Sequence, residues 1–324
     1  MHMNQQLIER QLQSTLASTH FDHLGVRYGG KVRDTYAMGD VLVLITSDRI
    51  SAFDHILKQT IPFKGQVLNG VATYFFEQTA DIVQNHILSV PDPNVTIARK
   101  CSSFPVEFVV RGYLAGHAWR TYQSGERMLC GKHLPDGLKQ NSKLPHAILT
   151  PATKAEEGHD EDISREDIIR KNILTESQFD QLEGYALALY QRGTEYAANQ
   201  GLIFVDTKYE FGLDSNGVIT LIDEIHTPDS SRYFYADTYE ERLQNDEPQR
   251  QLSKEFVREW LMDHGFQGLP DQVLPDLDDV FRIEVATRYI ELYEQITGHV
   301  FTPQTHLDPV SRVRIAIDEA MASM

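Results

Sequence analysis

The chain has 324 residues, 41% of them hydrophobic and 24% charged, which suits one large globular domain or two smaller ones. A formal net charge of −17 argues against a nucleic-acid partner, because phosphate backbones need a basic footprint. No apolar run approaches the ~20 residues of a membrane span, so no membrane partner is expected. Cys101 and Cys130 are too few for a disulfide framework, and no signal-peptide pattern opens the sequence. The expectation is a cytoplasmic protein, a monomer or small homo-oligomer.

In chain order, residues 4–18 read as an amphipathic helix with Leu7, Ile8, Leu12 and Leu16 at helical spacing. A β-rich stretch at 26–36 contains Gly29-Gly30, and 41–46 is a continuous apolar strand. A helix is expected at 66–79, strands at 95–98 and 106–110, and a second helix at 113–123. Residues 131–162 show no periodicity and read as a long irregular segment, functional or disordered. Ser164 with Asp167 resembles a helix cap before Ile168-Ile169, and 176–199 continues as helix. A hairpin occupies 202–226, and helices at about 250–263, 277–296 and 308–323 complete the chain. Segregated strands and helices give an α+β class, with a domain boundary near 104 (1–104 and 105–324).

The hairpin is the most informative local feature. Asn216-Gly217 is the preferred pair for a two-residue type I′ turn. With that turn, Glu210 lies directly across from Asp223, and alternation puts Asp206, Lys208 and Glu210 on one face. Opposed carboxylates repel unless a cation sits between them. Mg²⁺ takes oxygen ligands of this kind, one or two from protein and the rest from water and nucleotide phosphates. The competing reading is a sheet face of solvated charges.

Basic residues gather in several segments. Lys31 and Arg33 follow the paired glycines, where small residues let backbone amides approach a phosphate; a plain hairpin with surface charges is the alternative. Ser47-Asp48-Arg49-Ile50-Ser51 leaves an apolar strand in a mixed-charge loop. Arg111 emerges from the apolar Phe108-Val109-Val110 and must be paired, either with a carboxylate such as Glu107 or with an anionic ligand. Lys154, His159 and Asp160 lie in the irregular loop, without the spacing of a zinc site. Pro228-Asp229-Ser230-Ser231-Arg232 offers phosphate-friendly groups, or ordinary turn chemistry.

Taken together, the segments GKVRDTY at 30–36, SDRISAFD at 47–54, VVRGYLAG at 109–116, TPATKAEEGHDEDIS at 150–164, DTKYEFG at 206–212 and DEIHTPDSSRYF at 223–234 resemble the SAICAR synthetase family. The length and the 131–162 segment resemble its longer, yeast-like branch. The resemblance implies an ATP-grasp-related α+β fold, a small β-rich N-terminal domain covering ATP and a larger α+β domain carrying the metal and substrate sites. It implies ligation of L-aspartate to the carboxylate of carboxyaminoimidazole ribonucleotide (CAIR), with ATP and Mg²⁺. By position, Gly30, Lys31 and Arg33 would meet the nucleotide phosphates. Lys100 and Ser102 would border the adenine, and Glu210 and Asp223 would hold the metal. Lys208, Lys154 and Asp206 would be catalytic. Asp48, Arg49, Ser51, Arg111, His117, His159, Asp160, Asp229, Ser230, Arg232 and Arg258 would bind substrates. His117 stands where the family usually has Ser, which changes the local donor. An ATP-dependent phosphotransferase and a catalytically silent nucleotide-binding protein are the rival readings.

Overall fold

The computed structural model describes residues 5–154 and 161–324. The described chain runs α1 (Gln5–Gln11), β1 (Arg27–Gly29), β2 (Arg33–Met38), β3 (Val41–Thr46), β4 (Ser51–Ala52), β5 (His55–Ile56), α2 (Lys64–Gln78), β6 (Ile87–Asp92), β7 (Val95–Arg99) and β8 (Ser102–Tyr113). It continues through α3 (Gly116–Gln123), β9 (Met128–Leu129), β10 (Lys132–His133), β11 (Lys143–Thr153), α4 (Arg165–Arg170), α5 (Glu176–Asn199), β12 (Leu202–Leu213), β13 (Ile219–Ile222) and β14 (Ser231–Tyr235). Last come α6 (Ala236–Gln244), β15 (Gln251–Leu252), α7 (Glu255–Asp263), α8 (Asp279–Thr297) and α9 (Pro309–Ala322). The α+β class follows directly.

Two compact units share these elements. One combines the chain up to Tyr74 with His86–Lys100 and Ser253–Met324; the other combines Phe75–Asn85 with Cys101–Leu252. The expected division into 1–104 and 105–324 is therefore corrected, because the C-terminal helices belong with the N-terminal sheet. In that first unit the order is β1-β2-β3-β7-β6, antiparallel throughout. Val43, Ile45 and Val95 pack with Leu16, Phe21 and the α9 residues Val313 and Ile317, all buried. Burying each such side chain stabilises by ~1.5–3 kcal/mol. Arg312 of α9 donates to Asp92 Oδ2 and Asn94 Oδ1, both at 2.6 Å, which fixes the helix to the β6–β7 turn.

The second unit is built on a sheet of order β11-β8-β12-β14-β15, with β13 also on β12. Helix α5 packs against β12 through Phe179, Leu182, Ala186, Leu189, Gly193 and Ala197, spaced for one helical face. Its start is fixed by a capping box, Thr175 accepting from the Gln178 amide and Gln178 from the Thr175 amide. Ser164 likewise caps α4 by accepting from the Asp167 amide.

Several sequence expectations shift for identifiable reasons. The first helix stops at Gln11 instead of 18, because the Leu16 amide is drawn to Asp48 Oδ2 at 2.7 Å. Strand β8 runs on to Tyr113, so α3 begins only at Gly116, whose φ of +55° turns the chain. Within the expected irregular segment, residues 143–153 form the eleven-residue β11, paired with β8. Its Pro145 and Pro151 masked the pattern, yet proline is tolerated on an edge strand. A helix at 250 gives way to β15 followed by α7, and α6 was not anticipated.

The hairpin register is also corrected. Glu210 pairs with Ile222, one position off the expected Asp223. The loop holds three residues, Ser215-Asn216-Gly217, with the Asp214 amide donating to the Val218 carbonyl at 3.0 Å. Asp214 Oδ1 accepts from the Asn216 and Val218 amides, both at 2.9 Å. That carboxylate grips the loop in a turn where only Gly217 of the pair needs positive φ, +75°. A type I′ turn would need positive φ at both.

Candidate active site

Strand β12 lies between β8 and β14, and alternation turns Asp206, Lys208 and Glu210 to one face. Register places Asp206 opposite Arg111 of β8 and opposite Arg232 of β14. Both guanidiniums donate to the same oxygen, Asp206 Oδ2, Arg111 at 3.2 Å and Arg232 more closely. Arg111 Nε also donates to Thr150 Oγ1 at 2.9 Å. Arg111 is buried, and desolvation pulls its pKa down against the opposing pull of Asp206. Two cations thus share one carboxylate at this end of the row, and Asp162 also acts on Arg111. Gly116 packs on the Arg232 guanidinium, 2.3 Å from where a Cβ would stand, so any side chain there would displace it.

Farther along β12, the carboxylates that stand directly across the ladder are Glu210 and Glu107. The cation between them is Lys208, whose Nζ lies 2.7 Å from Glu210 Oε1 and 3.1 Å from Glu107 Oε2. Burial alone would lower the Lys208 pKa, but Glu210, Glu107 and Asp223 outweigh it and hold it well above the ordinary value. Lys154 meets the other oxygen of Glu210. Asp223 follows β13 with φ +67°, close enough to act on Lys208. Glu107 pairs with Lys208, and the carboxylate that Arg111 requires is Asp206, not the Glu107 considered as one option, since residues four apart on a strand are too distant.

Among the described residues, no group of three or more His, Cys, Asp or Glu side chains is arranged to hold a metal ion. The described residues therefore offer no cage that would hold a metal by protein ligands alone. A nucleotide-borne Mg²⁺ fits, since it needs one or two carboxylates and completes its shell with phosphate and water. The donor set around Lys208 is oxygen-rich and acidic, as that requires.

The crossing from β13 to β14 carries Asp229 and Ser230. The Ser230 carbonyl accepts from the Lys208 amide at 3.2 Å, and Thr207 Oγ1 meets Ser231 Oγ at 2.8 Å, so the crossing is stitched to β12. His117, near the start of α3, has Nε2 2.6 Å from Asp162 Oδ2. Burial opposes ionisation of Asp162, but His117 and Arg111 hold its carboxyl below the usual range. Desolvation and the neighbouring Asp162 push the Cys130 thiol up to about 12, which keeps it protonated and unreactive. His159 and Asp160 lie outside the described residues. Ser102 begins β8 opposite Leu213.

In the first unit the glycine turn is a two-residue loop, Gly30 donating to the Arg33 carbonyl at 2.8 Å. That amide is thus committed to the turn. Lys31 pairs with Asp54. Arg49 is a brace: it donates to the carbonyls of Lys31, Gly30 and Ala17 and to Asp34 Oδ1. Asp48 is buried, accepting from the Leu16 and Gly65 amides, and desolvation raises it to about 6. Ser51 is buried on β4 opposite Ile56. Arg33 lies at the head of β2 and acts on the buried His86, which desolvation, aided by Arg33 and Arg99, lowers to about 3. Lys100 is exposed, its amide donating to the Asp40 carbonyl at 2.8 Å. Arg258 pairs within α7 to Glu255 at 2.9 Å.

The structure thus brings Asp206, Lys208, Glu210, Arg111, Arg232, Lys154 and Asp223 together in one unit, and Gly30, Lys31, Asp48 and Arg49 in the other. Sequence reasoning missed Glu107 and Asp162 as site residues, and strand pairing was the signal it lacked.

Residues 26–272 match the SAICAR synthetase family. The phosphoribosylaminoimidazole-succinocarboxamide synthase of Cytophaga hutchinsonii is 58% identical over 286 residues, covering 88% of this chain and 92% of its own length. That of Bacteroides thetaiotaomicron is 53% identical over 302 residues, covering 92% and 96%. Among solved structures, the SAICAR synthase from Saccharomyces cerevisiae complexed with SAICAR has a TM-score of 0.77 at 29% identity, covering 89% of this chain and 100% of that one. A type-2 SAICAR synthetase in complex with ADP has a TM-score of 0.66 at 26% identity, covering 86% and 100%. With the family match spanning both units of the fold and the row on β12, the chain belongs to the SAICAR synthetase family.

Proposed function

We infer that this chain catalyses the ATP-dependent joining of L-aspartate to the carboxylate of CAIR, giving SAICAR, ADP and phosphate in de novo purine biosynthesis, in the cytoplasm. Family membership supports the reaction, and the observation that carries it onto this chain is the Asp206–Lys208–Glu210 row with its flanking cations.

A carboxylate is a poor acceptor for an amine because its oxygen leaves badly. Phosphoryl transfer from ATP to that oxygen makes phosphate the leaving group; the aspartate amine then attacks the carbonyl carbon, loses a proton and expels phosphate. Catalysis of the first step rests on positioning and charge neutralisation. Arg111 and Arg232 bind the ribonucleotide phosphate, Ser230 donates to it and Asp229 accepts from the ribose hydroxyls, while Asp206 keeps both guanidiniums aimed. Lys208 and Lys154 neutralise the reacting carboxylate and the transferring phosphoryl group. Glu210 and Asp223 would hold Mg²⁺, which when bound offsets charge on the β- and γ-phosphates. Gly30, Lys31 and Arg33 are carried over as phosphate-binding residues, and Lys100 and Ser102 as adenine-bordering ones, from the family resemblance. Asp48 and Arg49 shape the loop beside the turn. Ser51, His117, His159, Asp160 and Arg258 are carried over as substrate-binding residues from the family resemblance.

A coupled assay of ADP release with ATP, Mg²⁺, CAIR and L-aspartate tests the reading. Release that needs both CAIR and aspartate is expected. Release independent of aspartate would make the protein a phosphotransferase, and none at all would leave it a nucleotide binder.

A further inference from the structure

His226 is the one buried histidine on the crossing between β13 and β14 that none of the roles above uses. Its side chain is fully buried, and its φ is +58°, a conformation that non-glycine residues adopt at a cost. Nε2 lies 2.7 Å from the Tyr209 hydroxyl, and the His226 carbonyl accepts from the Tyr233 hydroxyl at 2.7 Å. The ring stands edge-on to Phe75, Phe204 and Tyr209, with centroids 4.6, 4.8 and 5.6 Å away. Gly193 of α5 leaves room for it; a Cβ there would come within 2.7 Å of Cε1. Nδ1 has no hydrogen-bond partner.

A buried nitrogen without a partner is unfavourable, so packing alone would choose an apolar side chain here. What the imidazole supplies instead is a tie. Tyr209 sits between Lys208 and Glu210 and points to the other side of the sheet, so His226 grips β12 from behind the reactive row. Three residues before it stands Asp223, also left-handed at φ +67°; just after it come Asp229, Ser230 and Arg232. We propose that His226 is a positioning residue: its link to Tyr209 fixes the crossing so that Asp223 reaches the Lys208–Glu210 end of the row while Ser230 and Arg232 reach the Asp206 end. Burial pushes its pKa down to about 3, so the tie stays neutral across the working range.

The proposal rests on the assignment of Asp223 to nucleotide-bound Mg²⁺ and of Asp229, Ser230 and Arg232 to the ribonucleotide. The test compares wild type, Tyr209→Phe, His226→Phe and the double variant. Tyr209→Phe breaks the tie without altering the crossing, so a folding failure of His226→Phe leaves the test intact. The Michaelis constant for CAIR and the half-saturating Mg²⁺ concentration should both rise about tenfold, with kcat changed less than threefold. Independently of activity, the Lys208 and Ser230 amides should exchange with solvent at least about tenfold faster, while α5 amides stay protected. A lowered melting temperature with unchanged exchange at those amides and unchanged constants would make His226 a packing residue and overturn the proposal. Inactive wild type with the expected exchange pattern would instead sink only the assigned reaction.

Discussion

Arg111 and Arg232 converge on a single atom, Oδ2 of Asp206, from the strands on either side of β12. One carboxylate thus orients two guanidiniums, each a fork of donors suited to a phosphate. Arg232→Ala should weaken CAIR far more than ATP, since truncating one partner of a desolvated charge pair typically costs ~2–5 kcal/mol. Arg111→Ala should do the same and also lower stability, because the buried Thr150 and Asp206 lose a donor. Michaelis constants measured for both substrates decide it; impaired ATP use with normal CAIR use would mean the two binding regions are assigned the wrong way round.

Glu210→Ala should abolish turnover, and so should Asp223→Ala. The structure adds a stability effect for Glu210, because Lys154 and Lys208 both pair with it. The loss should be about 1–2 kcal/mol, below the ~3–5 of a fully buried pair, since Lys154 is 36% exposed and Lys208 keeps Glu107. Urea unfolding and Mg²⁺ titration of activity check both parts. Near-normal Mg²⁺-dependent turnover in either variant would remove the metal assignment.

Asp48 gives a pH signature. Its carboxyl titrates near 6 in the folded protein against 3.8 ordinarily, so the fold binds a proton that the unfolded chain releases between these values. The linked stabilisation is full below pH 3.8 and gone above about 6, on the order of 3 kcal/mol. Wild-type stability should thus fall across that window relative to Asp48→Asn, whose profile should be flatter. The variant should be less stable at low pH, because one amide oxygen cannot serve both Leu16 and Gly65. Parallel unfolding curves from pH 4 to 7 would show that Asp48 does not titrate there.

His117 separates a ligand role from a structural one. If its imidazole donates to the ribonucleotide, His117→Ala should raise the Michaelis constant for CAIR while leaving that for ATP unchanged, and His117→Ser should restore much of the loss. Unchanged constants in both variants would leave His117 as the partner of Asp162 alone.

Much of this fold was legible in the residues. Helix α5 and strand β3 declare themselves by period and length, and the shared face of Asp206, Lys208 and Glu210 follows from alternation alone. Strand pairing was not legible. Strand β11 hid because its prolines and a bulge between Lys143 and Ile148 break the pattern, while β8 supplied the pairing. The hairpin register turned on Asp214, whose side chain took the loop amides and lengthened the turn by one residue. That slip sent the opposed-carboxylate argument to Asp223 when the true partner across the ladder is Glu107. The segment carrying the reactive row could be found locally; its neighbours are fixed by contacts between residues a hundred positions apart.

The clasp of Arg312 on Asp92 and Asn94 has a consequence for the order of synthesis. Strands β1 to β7 leave the ribosome early, yet the face they bury is closed by Val313 and Ile317, made roughly two hundred residues later. The intervening stretch, through Leu252, already holds every strand of its own sheet. A nascent chain should therefore finish the β8–β15 sheet before the β1–β7 one, which stays exposed to chaperones until α9 arrives. Stop codons placed before Pro309 should leave products whose N-terminal part is the first to be cut by protease.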